Sequence, residues 1–250
     1  MPILEQNKGL SIEPLALAVE TSGRVGSVAI GFGTYLSEEK PFSGNMRHSV
    51  ELFDTVIELL KKIKKKPPQI EQIYISAGPG SFTGVRIAVT LAKTMALANN
   101  LKIVAVNTMD ALAENVPVNT NNTDFARIKR IAVIIDAKRG QFFTAVFEKQ
   151  KDHWQKIGSD FLTRPSEFIH DYGNKPIWLL GEGLLYYADK FRTENIKILD
   201  QKYWPATAAN IYKLGSKSAE QGKFTDAETL TPLYLRRTEA EENWEKKNEL

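Results

Sequence analysis

The chain contains no cysteine, which removes disulfides, thiol catalysis, zinc fingers and iron–sulfur sites together. That absence fits a reducing compartment, and a cytoplasmic location is the expectation. An excess of one charge is also missing. Lys and Arg number 33 against 30 Asp and Glu, a net charge of +3 over 250 residues, so no strong polyanion-binding field is implied. No apolar run is long enough to cross a membrane, and Met1 to Glu13 is polar with no apolar signal core. Only three histidines are present, His48, His153 and His170, with no helical pairing and no spacing that suggests a shared metal. No serine sits in a Gly-x-Ser-x-Gly elbow.

What is present is 42% hydrophobic content, enough for a core, arranged in an order of elements that occurs twice. Pro14 to Glu20 reads as a buried strand, Val25 to Phe32 as a second and Tyr35 to Lys40 as a third. Helical spacing follows over Met46 to Lys66, with Phe53, Val56, Ile57, Leu60 and Ile63 on one stripe. A strand over Ile70–Ala77, a helix over Thr83–Asn99, a strand over Leu101–Asn107 and a short helix over Met109–Val116 complete the first half. Val116 to Asp124, rich in Pro, Asn and Thr, reads as a linker.

The order then recurs, with strands at Arg130–Asp136, Gln141–Glu148 and His153–Leu162. A helix at Pro165–Tyr172, a strand at Pro176–Leu180, a helix from Gly183 through Phe191, a strand at Ile196–Leu199 and a helix at Thr207–Gly222 follow. A three-strand meander followed by alternating α and β units is the layout of a ribonuclease-H-like half. Two such halves predict an α/β protein of the actin/Hsp70-like (ASKHA) fold, each half a mixed sheet flanked by helices. The expected organisation is one lobe over 1–118, a second over 119–236 whose last helix is able to pack back on the first, and a charged tail over 237–250.

Two turns carry chemistry in that architecture. The first strand ends in Glu20-Thr21-Ser22-Gly23 and its counterpart in Asp136-Ala137-Lys138-Arg139-Gly140. Read functionally, Glu20 and Asp136 face each other across a cleft and, with Thr21 and Ser22, hold a nucleotide and Mg²⁺. Read structurally, each carboxylate caps its own turn. The first turn has one glycine where a phosphate loop needs several close approaches.

The segment Gly78-Pro79-Gly80-Ser81-Phe82-Thr83-Gly84-Val85-Arg86 poses the same choice, an anion site at a helix start or a tightly packed one. It lacks the Gly-Lys-Ser/Thr ending of a P-loop. The helix it opens is apolar on most sides, and the preceding helix is over-supplied by Leu52 and Leu59, which points to core or to a partner surface. The lysine run Lys61 to Lys66 reads as a solvated helix end.

Together these residues resemble the TsaB (YeaZ) family. The resemblance rests on Leu17-Ala18-Val19-Glu20-Thr21-Ser22, His48-Ser49, the glycine segment with Ala92-Lys93, Asp136 to Gln141, Gly181-Glu182-Gly183 and Pro232-Leu233-Tyr234-Leu235-Arg236. It implies a non-catalytic partner subunit in making N6-threonylcarbamoyladenosine at position 37 of tRNA. The catalytic paralogue, TsaD, carries a His-x-x-x-His metal pair where this chain has Thr108 and Leu112, so the metal centre and any peptidase activity are expected to be absent. Family members usually have aspartate at the position of Glu20.

The resemblance further implies a docking surface on the Ser49–Lys65 and Thr83–Asn99 helices. Its expected residues are Val50, Leu52, Leu59, Ile63, Gly80, Gly84, Arg86, Val89 and Lys93. The implied partners are the TsaD-type paralogue, a TsaE-type ATPase, and a second copy of this chain through the same helices, with tRNA reached through the complex. No cofactor is required under this reading. An ATP·Mg²⁺-hydrolysing enzyme using Glu20 and Asp136 is the rival, and a metallopeptidase the third.

Overall fold

The structure is a computed structural model and describes residues 13–118 and 123–235. The expected tail at 237–250 and the middle of the expected linker lie outside the described residues.

Five strands form the first sheet. β1 (Leu15–Glu20), β2 (Ser27–Phe32) and β3 (Tyr35–Pro41) make the antiparallel meander, and β4 (Gln72–Ser76) and β5 (Lys102–Val106) extend it in parallel from β1. The order is β3-β2-β1-β4-β5. The second sheet is built from β6 (Arg130–Asp136), β7 (Phe142–Lys149), β8 (Trp154–Thr163), β9 (Ile177–Leu180) and β10 (Ile196–Ile198). Its order, β10-β9-β6-β7-β8, is the first read from the other edge. Two ribonuclease-H-like sheets of mixed direction, flanked by helices, make the expected actin-like fold.

The helices are α1 (His48–Lys62), α2 (Phe82–Asn99), α3 (Thr108–Ala113), α4 (Thr123–Ala126), α5 (Pro165–Tyr172), α6 (Leu184–Tyr187) and α7 (Ala208–Glu220). The first long helix stops short of Lys66, because Lys64 takes a positive φ of 56° and Pro67–Gln69 turn as 3-10. The helix expected through Phe191 is one α-turn followed by a 3-10 turn at Ala188–Lys190.

β1 explains how the first sheet is layered. Its side chains alternate large and small, and every residue is buried. Leu15, Leu17 and Val19 join Leu52, Leu59, Leu60, Val85, Ala88 and Ala92 under α1 and α2. Ala16 and Ala18 face the other way, where Tyr74 and Tyr212 fill the space beneath α7. Those two rings meet edge to face at 5.5 Å. Gly215 lets α7 lie on Tyr74, since a Cβ there would stand 2.4 Å from the ring.

The sheets also exchange helices. α3 leaves the first sheet, yet Met109, Leu112 and Ala113 join Ile131, Val133, Phe147 and Trp154 of the second. α7 follows the second sheet, yet Ala208, Ile211 and Tyr212 close the first.

Candidate functional site

The ends of β1 and β6 come together on either side of a cleft of about 550 Å³. Ser22, Gly23 and Arg24 supply one rim; Asp136, Ala137 and Lys138 supply the other, with Glu182 and Tyr186 beside them. Phe82, Val85, Ile135, Phe143, Leu233 and Tyr234 make much of the remaining wall apolar.

Glu20 does not face this cleft. It is fully buried, and its Oε1 accepts from the Ser22 N–H and hydroxyl and, at 3.2 Å, from the Gly23 N–H. Burial raises its pKa above the usual carboxylate value, against those hydrogen bonds, and Oε2 has no partner. Thr21 is buried too, its hydroxyl donating to the Gly84 carbonyl at 2.7 Å. Of the four residues expected to line a nucleotide cleft, Ser22 and Asp136 do so; Glu20 and Thr21 are drawn into the turn itself. The opposition of Glu20 to Asp136 is therefore not realised, because the donors two and three residues along the chain capture the carboxylate first.

Asp136 is engaged as well. Oδ1 accepts from the Lys138 N–H at 2.9 Å and stands 3.0 Å from the Tyr187 hydroxyl, while Oδ2 pairs with Lys138 Nζ at 2.7 Å. Burial works to raise its pKa, but the Lys138 and Tyr187 hydrogen bonds outweigh it and the pKa is lowered. Burial, then Asp136, push the Tyr187 hydroxyl up to about 12. Lys138 and Arg139 hold φ of 62° and 54°, a turn that directs the lysine back onto the carboxylate.

A Mg²⁺-nucleotide does not suit this donor set. One carboxylate is enclosed, the other is paired with an ammonium group, and apolar side chains occupy much of the remaining wall. Among the described residues no three His, Cys, Asp or Glu side chains stand together as a metal site. Glu20→Gln is consequently expected to stabilise the chain at pH 7, since it removes a buried charge and keeps the acceptor oxygen. A raised pKa means that the folded state favours the acid form, so the gain shrinks as pH falls toward the ordinary value of 4.5. Thermal melts at pH 7 and pH 4.5 check this, and a lower midpoint for the variant at pH 7 contradicts it.

The glycine segment packs against the first turn. A Cβ on Gly80 would stand 2.7 Å from the Ser22 carbonyl oxygen, and one on Gly84 1.8 Å from that of Thr21. Ser81 caps α2 through Gly84 N, and the Ser81 N–H donates to the Ser22 carbonyl at 2.8 Å. These glycines therefore serve a close contact within the chain.

The other expected docking residues divide. Leu52 and Leu59 are buried core under the first sheet, and Val89 is buried on α2. Ile63 is half-buried against the same core. Arg86 stacks on Phe82 at 3.7 Å and its Nε donates to the Tyr234 hydroxyl at 2.8 Å. Lys93 donates to the Leu230 carbonyl at 3.0 Å. The segment Glu228–Tyr234 thus engages the Arg86 and Lys93 side of α2. Val50 (65%), Phe53 (64%) and Ile57 (38%) stand exposed on one side of α1, and Met46, two residues before the helix, is exposed too (61%).

Sequence reasoning gave no role to Glu182 or Tyr186. Glu182 Oε2 accepts from the Arg24 N–H at 2.7 Å, and the Tyr186 hydroxyl accepts from Arg24 Nη1 at 2.9 Å. The signal was the pair of flanking glycines. A Cβ on Gly181 or Gly183 would meet the Ile134 carbonyl oxygen at 2.4 or 2.8 Å, so both let the loop lie on β6.

Residues 40–244 match the family model described as "TsaD: tRNA N6-adenosine threonylcarbamoyltransferase". The tRNA threonylcarbamoyladenosine biosynthesis protein TsaB of Bacillus subtilis (strain 168) is 30% identical over 241 residues, covering 91% of this chain and 96% of that protein. The chain belongs to the TsaB (YeaZ) family. The TsaB of Escherichia coli (strain K12) is 24% identical over 203 residues, 80% of this chain and 84% of that one. The solved YeaZ of Pseudomonas aeruginosa is 22% identical, covers 89% of this chain and 100% of its own, and superposes with a TM-score of 0.74, a likeness of fold.

In this TsaB-family chain Thr108 and Leu112 both lie on α3 and are buried, Leu112 in the core of the second sheet. No described helix is long and apolar enough to cross a membrane.

Proposed function

We propose that this chain is the non-catalytic subunit that binds and activates a TsaD-type threonylcarbamoyltransferase in forming N6-threonylcarbamoyladenosine at position 37 of tRNA. The observation that carries the docking surface is the exposed apolar ridge along α1. Val50, Phe53 and Ile57 recur at steps of three and four residues, the spacing by which one helix seats against another. An exposed ridge of this kind marks an interaction site more often than a solvated face. The names of the TsaB relatives support the pathway, and the side chains of Thr108 and Leu112 support a subunit without metal chemistry of its own.

The chain acts by holding the paralogue in its active conformation, a population shift rather than a chemical step. A TsaE-type ATPase completes the complex, tRNA is reached through it, and a second copy of this chain competes for the same ridge. The setting is the cytoplasm. Reconstitution tests the role: tRNA modification by the paralogue and ATPase is expected to require this chain, and equal modification without it overturns the proposal. The rival, an ATP-hydrolysing enzyme, is checked by titrating ATP·Mg²⁺ into the isolated chain. Micromolar binding that disappears in Asp136→Ala, together with phosphate release from ATP, favours the rival.

A further inference from the structure

The β1–β2 turn is gripped residue by residue by different parts of the molecule. Thr21 Oγ1 donates to the Gly84 carbonyl and the Ser22 carbonyl accepts from Ser81 N–H, both at the start of α2. The Gly23 carbonyl lies 3.0 Å from His48 Nε2, at the start of α1, and the Arg24 carbonyl accepts from Met46 N–H at 2.9 Å. A further contact comes from the other lobe, where the Arg24 N–H donates to Glu182 Oε2.

We propose that Glu182 is a positioning residue for the docking face: by holding Arg24 it fixes the turn against which the first residues of α1 and α2 are set. This rests on reading the α1 ridge as the partner surface. The carboxylate has little freedom to yield. Gly183 N–H donates to the Ile134 carbonyl, and the two glycines press the loop onto β6. On the opposite side the turn must stay small, since a Cβ on Gly23 would stand 3.1 Å from Glu182 Oε2. Tyr186 adds a second hold on the Arg24 side chain. The second lobe, which carries no part of the ridge, thereby sets the ridge's angle.

Amide hydrogen exchange on the full chain tests this. Glu182→Ala is expected to speed exchange about tenfold at Arg24 and also at Met46 and Ser81, whose N–H groups bind the same turn. Glu182→Gln keeps an acceptor oxygen and is expected to restore all three. Tyr186→Phe, a milder change, is expected to move the same amides less. Affinity for the TsaD-type paralogue is expected to fall about tenfold in Glu182→Ala.

Faster exchange confined to Arg24 overturns the proposal. So does unchanged affinity in a variant whose three amides have all accelerated. A Phe53→Asp variant separates the two readings: if it binds the paralogue normally, the docking face is wrong, and the Met46 and Ser81 amides still decide whether Glu182 positions the helix starts.

Discussion

Gly84→Ala is expected to destabilise the chain by about 3 kcal/mol, at the upper end of overpacking effects. Propensity argues the other way, because alanine in place of glycine inside a helix is worth up to about 1 kcal/mol. The clash decides the sign. The new methyl would lie 1.8 Å from the Thr21 carbonyl oxygen, a backbone atom at the end of a central strand that cannot swing aside. Either α2 lifts away from the turn or β1 gives up its register. Urea denaturation measures the loss, and a variant as stable as the parent would show that the turn and α2 are not packed as described. Gly80→Ala, whose methyl would stand 2.7 Å from Ser22 Cβ and its carbonyl oxygen, is expected to cost less.

Phe53→Asp is expected to weaken binding to the paralogue about thirtyfold or more while leaving the melting curve of the isolated chain nearly unchanged. Truncating an aromatic anchor at the centre of an interface costs 2 kcal/mol or more, whereas a substitution at an exposed site usually moves stability by less than about 0.5 kcal/mol. Leu52, one residue earlier, behaves in the opposite way. It is buried beneath the first sheet, so Leu52→Asp places an unpaired carboxylate in the core and is expected to unfold the chain. Copurification with the paralogue, read beside thermal melts of both variants, checks the pair. If Leu52→Asp folds and only loses its partner, the inward and outward faces of α1 are reversed.

That pair of residues shows where legibility stopped. The periodicity of α1 was plain, but Leu52 and Leu59 on one side, and Val50, Phe53 and Ile57 on the other, are two apolar stripes that adjoin. Periodicity finds apolar stripes without saying which one meets a sheet. The meander, its repetition and the strand Arg130–Asp136 could be read directly, because continuous β-branched runs bounded by turns have few alternatives.

The site was half legible. Two carboxylates at matching strand ends were visible, and so was the alternative that each caps its own turn. Only coordinates reveal that Ser22 and Gly23 take hold of Glu20 and that Lys138 takes hold of Asp136. The glycines at positions 80 and 84 announced a close approach without naming Thr21 and Ser22 as its object. Glu182 was hidden for a simpler reason: its partner Arg24 lies 158 residues away, and no local pattern encodes that distance.

The exchange of α3 and α7 between the sheets gives the duplication an unusual character. Two copies of one fold would commonly be two modules, each able to melt or be cut away alone. Here Met109 and Leu112 fill the second core from a helix that follows the first sheet, and Ile211 and Tyr212 fill the first from a helix that follows the second. Severing the chain between the halves would strip each of a buried layer that the other carries. Although written twice, the fold is therefore a single cooperative unit.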